Sequence, residues 1–375
     1  MKKIELKPVD TFFFKNHQTT VTGTDTTMTG LFPPRPNTIY GALRAAYIHQ
    51  YTSFADFQGA KNEEVKRWMG TPNELGDFSI RFLGIHFRNE LHLPLSYDYQ
   101  VIEEDSGELI AYPLHLKEDS SLSSQPAKWR LFSNRKEKSV SVNNIYVPVS
   151  KWKEAYLKHK EISDLIKMSQ FLEGEEKLGI ALDYDERKSS ESMLYQMIKW
   201  RFKEDGSLVV YTSSSPDFSK ISYARVGGEN RPWYVTQKDE PFQLWTQEEL
   251  QMIHEQVQKN KVEGLETYYA RIILLTPAIW KNGSKPNHFD GEYLTLPNGL
   301  KVRLLTAAMG RPELYGGWDI VRNRPKTRKF MVPAGTVLYV EVDKDQLEDL
   351  LSLANGIMLT DEGEQEGFGF AIITN

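Results

Sequence analysis

Phe32-Pro33-Pro34-Arg35-Pro36-Asn37-Thr38-Ile39-Tyr40-Gly41-Ala42-Leu43-Arg44 is the stretch on which the reading of this chain turns. Its three prolines stiffen the approach, since each fixes its own φ. Asn37 then suits the cap of a helix running on from Thr38, with Ile39, Leu43, Ala46 and Tyr47 at helical spacing on one apolar face. A helix start carries unpaired N–H groups and partial positive charge, so it attracts phosphate. No acidic residue competes here, because Tyr40 stands where a capping box has Glu or Gln. Gly41 inside the helix costs roughly 1 kcal/mol relative to Ala, a cost that either close ligand approach or close packing would explain.

Working outward, Lys3 to Phe14 reads as a strand before this helix. After it come a second helix from Ala55 to Met69 and strands at Phe78 to Phe87 and Glu90 to Leu95. Glu103 to Val149, rich in Ser, Lys and Glu, reads as a mobile excursion. Ser192 to Phe202 and Ser207 to Thr212, joined through Asp205-Gly206, read as a hairpin. An acidic helix from Gln247 to Lys261 follows, with strands at Thr267 to Leu275, Leu300 to Leu305 and Val337 to Val342. A helix at Lys344 to Ala354 and a strand at Phe368 to Ile373 close the chain. Strands and helices do not alternate regularly, so the expected class is α+β, two ferredoxin-like (RRM-like) domains with long insertions. The first is placed at 1–185 with its insertion around 103–149, the second at 186–375.

The 375 residues, 40% hydrophobic and 26% charged, are enough for two domains with real cores. A net charge of −5 means that any nucleic-acid site must be local. There is no cysteine, which removes disulfides, thiolate metal sites and cysteine nucleophiles. The charged N-terminus and the interrupted apolar run at Ile272 to Trp280 lead us to expect a soluble cytoplasmic protein with no membrane partner. No phosphate-binding Gly-x-x-x-x-Gly-Lys loop, His-Glu-x-x-His or Gly-x-Ser-x-Gly motif is present. The eight histidines form no ligand pair at helical spacing, and Asp183 with Asp185 reads as an exposed acidic turn, so no metal and no cofactor are expected.

Charge is unevenly placed. Gly310 to Phe330 carries Arg311, Arg322, Arg324, Lys326, Arg328 and Lys329 against Glu313 and Asp319, with Gly316-Gly317-Trp318 ahead of the cluster. Flexible backbone, a flat indole and guanidinium groups suit single-stranded nucleic acid. Asp239 to Glu266 has the opposite balance, seven acidic residues against Lys259 and Lys261. Between Arg225 and Arg231 lies a second glycine turn, Gly227-Gly228-Glu229-Asn230, which fits either close ligand approach or a plain tight turn. Glu366-Gly367-Phe368-Gly369-Phe370 matches an RNA-recognition octamer except for Glu366 in place of a cation.

Leu6 to Phe14, Phe32 to Arg44, Leu178 to Asp183, Met193-Leu194-Tyr195, Gly227 to Arg231, Leu275 to Trp280 and Gly316 to Asp319 occur in an order spanning nearly the whole chain. Together they resemble the third RAMP subunit of the type III-B CRISPR (Cmr) effector complex. The resemblance implies two ferredoxin-like RAMP domains, no enzymatic activity, and a place at the base of the complex holding the 5′ tag of the crRNA. It implies as partners the large polymerase-like signalling subunit and the backbone RAMP subunit, with target RNA met only indirectly. The family's glycine-rich loop falls on Gly363, Gly367 and Gly369. The RNA-binding candidates are Arg35, Asn37, Thr38 and Arg44 at the first helix; Arg225, Gly228 and Arg231 at the glycine turn; and Arg322, Arg324, Lys326 and Arg328 as a phosphate track. Trp280 and Trp318 are candidate stacking platforms, though core packing is the commoner role for such residues, and Gly367, Phe368 and Gly369 offer backbone amides. The alternative is a metal-independent RNA endonuclease with His17 or His49 as general base.

Overall fold

The computed structural model describes residues 1–16, 27–28, 30–119, 128–182, 189–261, 266–319 and 324–375; of these, 27, 180–182, 189–195, 318–319 and 325 are described by backbone alone. Eight strands set the framework: β1 (Lys3–Pro8), β2 (Ser79–Phe87), β3 (Gly206–Ser214), β4 (Pro232–Lys238), β5 (Thr267–Leu274), β6 (Lys301–Ala308), β7 (Val337–Asp343) and β8 (Phe370–Thr374). In one sheet the order is β4-β1-β3-β2, each strand antiparallel to its neighbours. In the other it is β8-β5-β7-β6, again antiparallel throughout. Each sheet thus has its first and second strands parallel, with its third between them. The first crossover of the first sheet is made by helix α1 (Pro36–Tyr51), whereas the second sheet has its helix, Leu347–Leu351, between β7 and β8.

Burial follows from what covers each face. The apolar stripe of α1, Ile39, Leu43 and Tyr47, packs with Ile4, Leu6, Ile80, Ile85, Leu208 and Val210 on one side of the first sheet. From the other side Phe82, Val209 and Tyr211 join a larger core shared with the helices Val149–Lys158 and Gln247–Lys259 and with the second sheet. β3 is therefore buried on both faces from Gly206 to Tyr211. Across this core runs one buried polar joint. Arg271 of β5 donates to Asp98 at 3.0 Å and to the Tyr156 carbonyl at 3.1 Å, and Tyr339 of β7 donates to the same Asp98 oxygen at 3.0 Å.

Several expectations need correction. The first strand ends at Pro8; beyond it Phe12 bridges to Trp200 and Lys15 to Gly30. Asn37 is not the cap of α1. The helix begins at Pro36, whose fixed φ and missing N–H suit the first helical position, and Arg35 precedes it without a capping bond. The helix expected at Ala55 to Met69 is two, Phe54–Gln58 and Glu63–Met69, capped by Ser53 and Asn62 and separated by Ala60 at φ 52°. The expected helix at Lys344 to Ala354 is a 3-10 turn followed by five α-helical residues.

Within the supposed excursion 103–149, Tyr99–Glu103 pairs with Leu109–Pro113, His115–Glu118 pairs with Trp129–Phe132, and Ile145–Pro148 joins the first sheet. The hairpin expected at 192–212 does not form. Ser189–Phe202 pairs instead with Leu172–Leu182, because the doubly apolar β3 needs cover on both faces and is inserted between β1 and β2. The expected division at 185/186 falls between those two paired strands, and the chain after it returns to the first sheet through β3 and β4.

Candidate nucleic-acid interface

The start of α1 is the centre of the arrangement. Its first turn carries no acidic side chain. Arg35, just before it, pairs with Glu313 on a short flap in which Glu313–Tyr315 pairs with Lys329–Met331. Tyr315 and Met331 anchor the flap by burial with Phe368, the Tyr315 and Phe368 rings lying 5.4 Å apart, and Lys329 pairs with Glu362. Further along, Trp318–Asp319 pairs with Arg324–Pro325, and the Lys326 amide donates to the Gly317 carbonyl at 2.8 Å. Gly317 lies over the helix start: a Cβ placed there would stand 3.6 Å from Lys326 Cδ and 4.0 Å from Asn37 Nδ2.

Between the flap and the segments Lys15–Asn16 and Gly30–Leu31, just ahead of the helix, lies a cleft of about 280 Å³, lined by Lys15, Asn16, Gly30, Leu31, Arg35, Glu313, Leu314, Tyr315 and Gly316. The Asn37 Oδ1 atom is buried and has no hydrogen-bond partner. Arg324, Lys326 and Arg328 are exposed and form no ion pair among the described residues. Lys326 does lie near the half-buried Glu366, whose pKa is raised by burial and held back by Lys326, Arg44 and Lys329. Exposed cations with no ion pair among the described residues, beside a helix whose first turn holds no acidic side chain, suit this part of the described surface to a polyanion, although Glu313 is paired with Arg35 and Glu366 lies near Lys326.

A second group of cations adjoins it. Glu229, at φ 59°, accepts from Lys177 at 2.8 Å, Lys199 at 2.5 Å and Arg231 at 2.9 Å. Arg231 also lies 3.5 Å from Asp10. The Gly228 amide donates to the Phe13 carbonyl at 2.7 Å, and Gly227, at φ 77°, would put a Cβ 2.6 Å from that same carbonyl oxygen. The paired glycines therefore admit the protein's own backbone, and the segment Phe12–Asn16 ties this turn to the cleft. Arg225 is exposed on the edge strand Tyr223–Arg225.

Other candidates are placed differently. The Arg44 guanidinium donates to the carbonyls of Met69 at 2.7 Å and Thr71 at 2.6 Å and lies over the Phe57 ring, so it fastens the turn after a helix. Trp280 is 1% exposed and donates to the Leu359 carbonyl at 3.0 Å; it is a core residue and no stacking platform. The amides of Gly367, Phe368 and Gly369 donate to the carbonyls of Glu364, Gly363 and Pro277, which leaves none of them for phosphate. Gly367, at φ 97°, fits against Ile80 and Pro36, so this loop is a clasp under α1. Arg322, His17, Asp183 and Asp185, and the indole of Trp318, lie outside the described residues and atoms.

His49 is exposed in the last turn of α1, roughly 20 Å from the helix start at 1.5 Å per residue. Sequence reasoning missed Lys15, Asn16, Lys177, Lys199 and Phe330. Phe330 had a signal, an aromatic closing a basic run, while the others are assembled by pairing between distant segments. Among the described residues no three His, Asp or Glu side chains stand together as a metal site, and no helix is long and apolar enough to cross a membrane.

A family model described as CRISPR-associated protein (Cas_Cmr3) matches residues 4–374. The chain belongs to this family of Cmr-type CRISPR proteins. A protein of Saccharolobus solfataricus (strain P2) described as CRISPR system CMR subunit Cmr3 is 22% identical over 236 residues, 62% of this chain and 62% of that protein, so the match spans less than two thirds of the relative. Among solved structures, a chain of the cryo-EM structure of the type III-B Cmr-beta bound to cognate target RNA and AMPPnP has a TM-score of 0.51 at 16% identity, over 95% of this chain and 89% of that one. A chain of the type III-B Cmr-beta bound to cognate target RNA gives 0.50 at 16% identity, over 90% and 86%. At such identities the likeness is one of fold, here a mixed α+β fold of antiparallel sheets.

Proposed function

We propose that this protein is a non-catalytic subunit of a type III-B CRISPR interference complex that holds the 5′ tag of the crRNA and caps the base of the complex. It stands beside the large polymerase-like signalling subunit and the backbone RAMP subunit, and meets target RNA through the guide. One observation carries the reading: a cleft beside a helix whose first turn holds no acidic side chain, covered by a flap whose Arg324, Lys326 and Arg328 are exposed and form no ion pair among the described residues. Membership in the Cas_Cmr3 family supports it, as does the strand order repeated in both sheets. We read that order as two ferredoxin-like units, each retaining one of its two crossover helices, with the division near residues 239–246.

A tag of fixed sequence is held by contacts to unstacked bases, with its phosphates on arginines and helix amides. In the assembled complex, RNA with the correct tag binds more tightly than RNA with a scrambled tag; equal binding contradicts the reading. Replacing Arg324 and Arg328 together by Gln lowers the slope of log affinity against log salt by about 1.4, at about 0.7 per phosphate contact to a single strand. An unchanged slope places those arginines away from RNA.

A further inference from the structure

Phe330 is 55% exposed, although both its neighbours are fastened, Lys329 to Glu362 and Met331 in the core with Tyr315. Across the antiparallel pair Phe330 stands directly opposite Leu314. Residues so paired share one face of the ribbon, their Cβ atoms about 5 Å apart. Leu314 lines the cleft. Ring and leucine therefore form an apolar step at the rim of a cavity whose walls include Lys15, Asn16 and the paired Arg35 and Glu313, on a flap whose Arg324, Lys326 and Arg328 are exposed and form no ion pair among the described residues.

A flat apolar face bounded by cations matches a nucleobase with its phosphates to either side. The apolar side chain of a protein partner could meet the ring, but it would bring no anion to the exposed Arg324, Lys326 and Arg328. We propose that Phe330 and Leu314 form a stacking step for one unpaired base of the guide RNA, turned out of its neighbours' stack at the mouth of the cleft. This rests on the reading of the flap as an RNA track and adds to it a base contact at one fixed nucleotide position. Because every base has a π face, the contact selects a position and tolerates sequence.

The test uses the complete protein and a series of guide RNAs, each abasic at one nucleotide of the leading segment. With intact RNA, Phe330→Ala binds about ten-fold more weakly and Phe330→Trp retains affinity. With RNA abasic at one particular position, wild type and Phe330→Ala bind equally; at every other position the ten-fold gap remains. The salt slope does not change, since no cation has been removed. Thermal unfolding of Phe330→Ala stays at the wild-type midpoint, as expected for an exposed ring.

Three results overturn the stacking step. These are no gap at all, the same gap for every abasic RNA, or release of a protein subunit from the assembled complex by Phe330→Ala with RNA affinity unaltered. If RNA still crosslinks to the flap in any of these cases, the track reading survives. If RNA crosslinks nowhere on the flap, both fail.

Discussion

Glu229 shows how much one carboxylate organises. It sits in a left-handed conformation and gathers Lys177, Lys199 and Arg231, which come from three separate segments. Hydrogen bonds from Lys177 and then Lys199 hold its pKa down at about 2. The unfolded value is near 4.3, so this carboxylate contributes stability fully above about pH 4.5 and loses it as pH falls toward 2. Glu229→Gln therefore destabilises the protein at pH 7 by about 1 kcal/mol, allowing for solvent screening on its open side, and the gap to wild type narrows below pH 4. Urea midpoints at pH 7 and pH 3.5 check this; a gap independent of pH would assign the loss to packing. At this scale the sequence displayed the basic residues without revealing which were already paired. Arg35 looked free in its local stretch, yet Glu313 holds it from 278 positions away.

Among the elements, α1 was the most legible, because a proline-led start and an apolar stripe at helical spacing are local signals. Its acid-free first turn is also where stability and binding pull apart. A negative charge at a helix start stabilises it by roughly 0.3–1 kcal/mol through the helix dipole, and the same charge repels phosphate. Thr38→Glu thus raises the unfolding midpoint slightly while weakening RNA binding several-fold, read by thermal denaturation and by RNA titration on the same preparation. A fall in both would mean that Thr38 has a packing role instead. The strands Leu172–Leu182 and Ser189–Phe202 were illegible for the opposite reason. Their pairing is with each other, while the tight turn after Phe202 suggested a hairpin with β3. Turn chemistry marks where a chain bends and cannot say which strand it then joins. The glycine loop at 363–369 failed similarly: positive φ at Gly363, Gly367 and Gly369 reflects close packing against Ile80, Leu359 and Phe368.

The whole molecule repeats one strand order in two sheets, and no residue pattern announces it. The irregular order of strands and helices was enough to place the chain in the mixed α+β class, because that order is summed over many local signals, whereas connectivity depends on which distant segments pair. The joint between the halves is a buried ion pair: Arg271 is 1% exposed and its Asp98 partner fully buried. Burial opposes the charge on Arg271, and Asp98, Tyr339 and Tyr99 beside it together outweigh this, so that its pKa is raised. Asp98→Ala leaves a guanidinium buried with no counter-charge and costs about 3–5 kcal/mol, measured by urea denaturation. A loss under 1 kcal/mol would show that water reaches this joint. The central claim is that the cleft between Lys15–Asn16, Arg35 at the start of α1 and the flap strands Glu313–Tyr315 and Lys329–Met331 holds the leading end of the guide. Crosslinking RNA to individual residues in the intact complex tests it most directly. The account expects crosslinks at Lys15–Asn16, Arg35–Thr38 and Arg324–Phe330; crosslinks that avoid all three segments would contradict it.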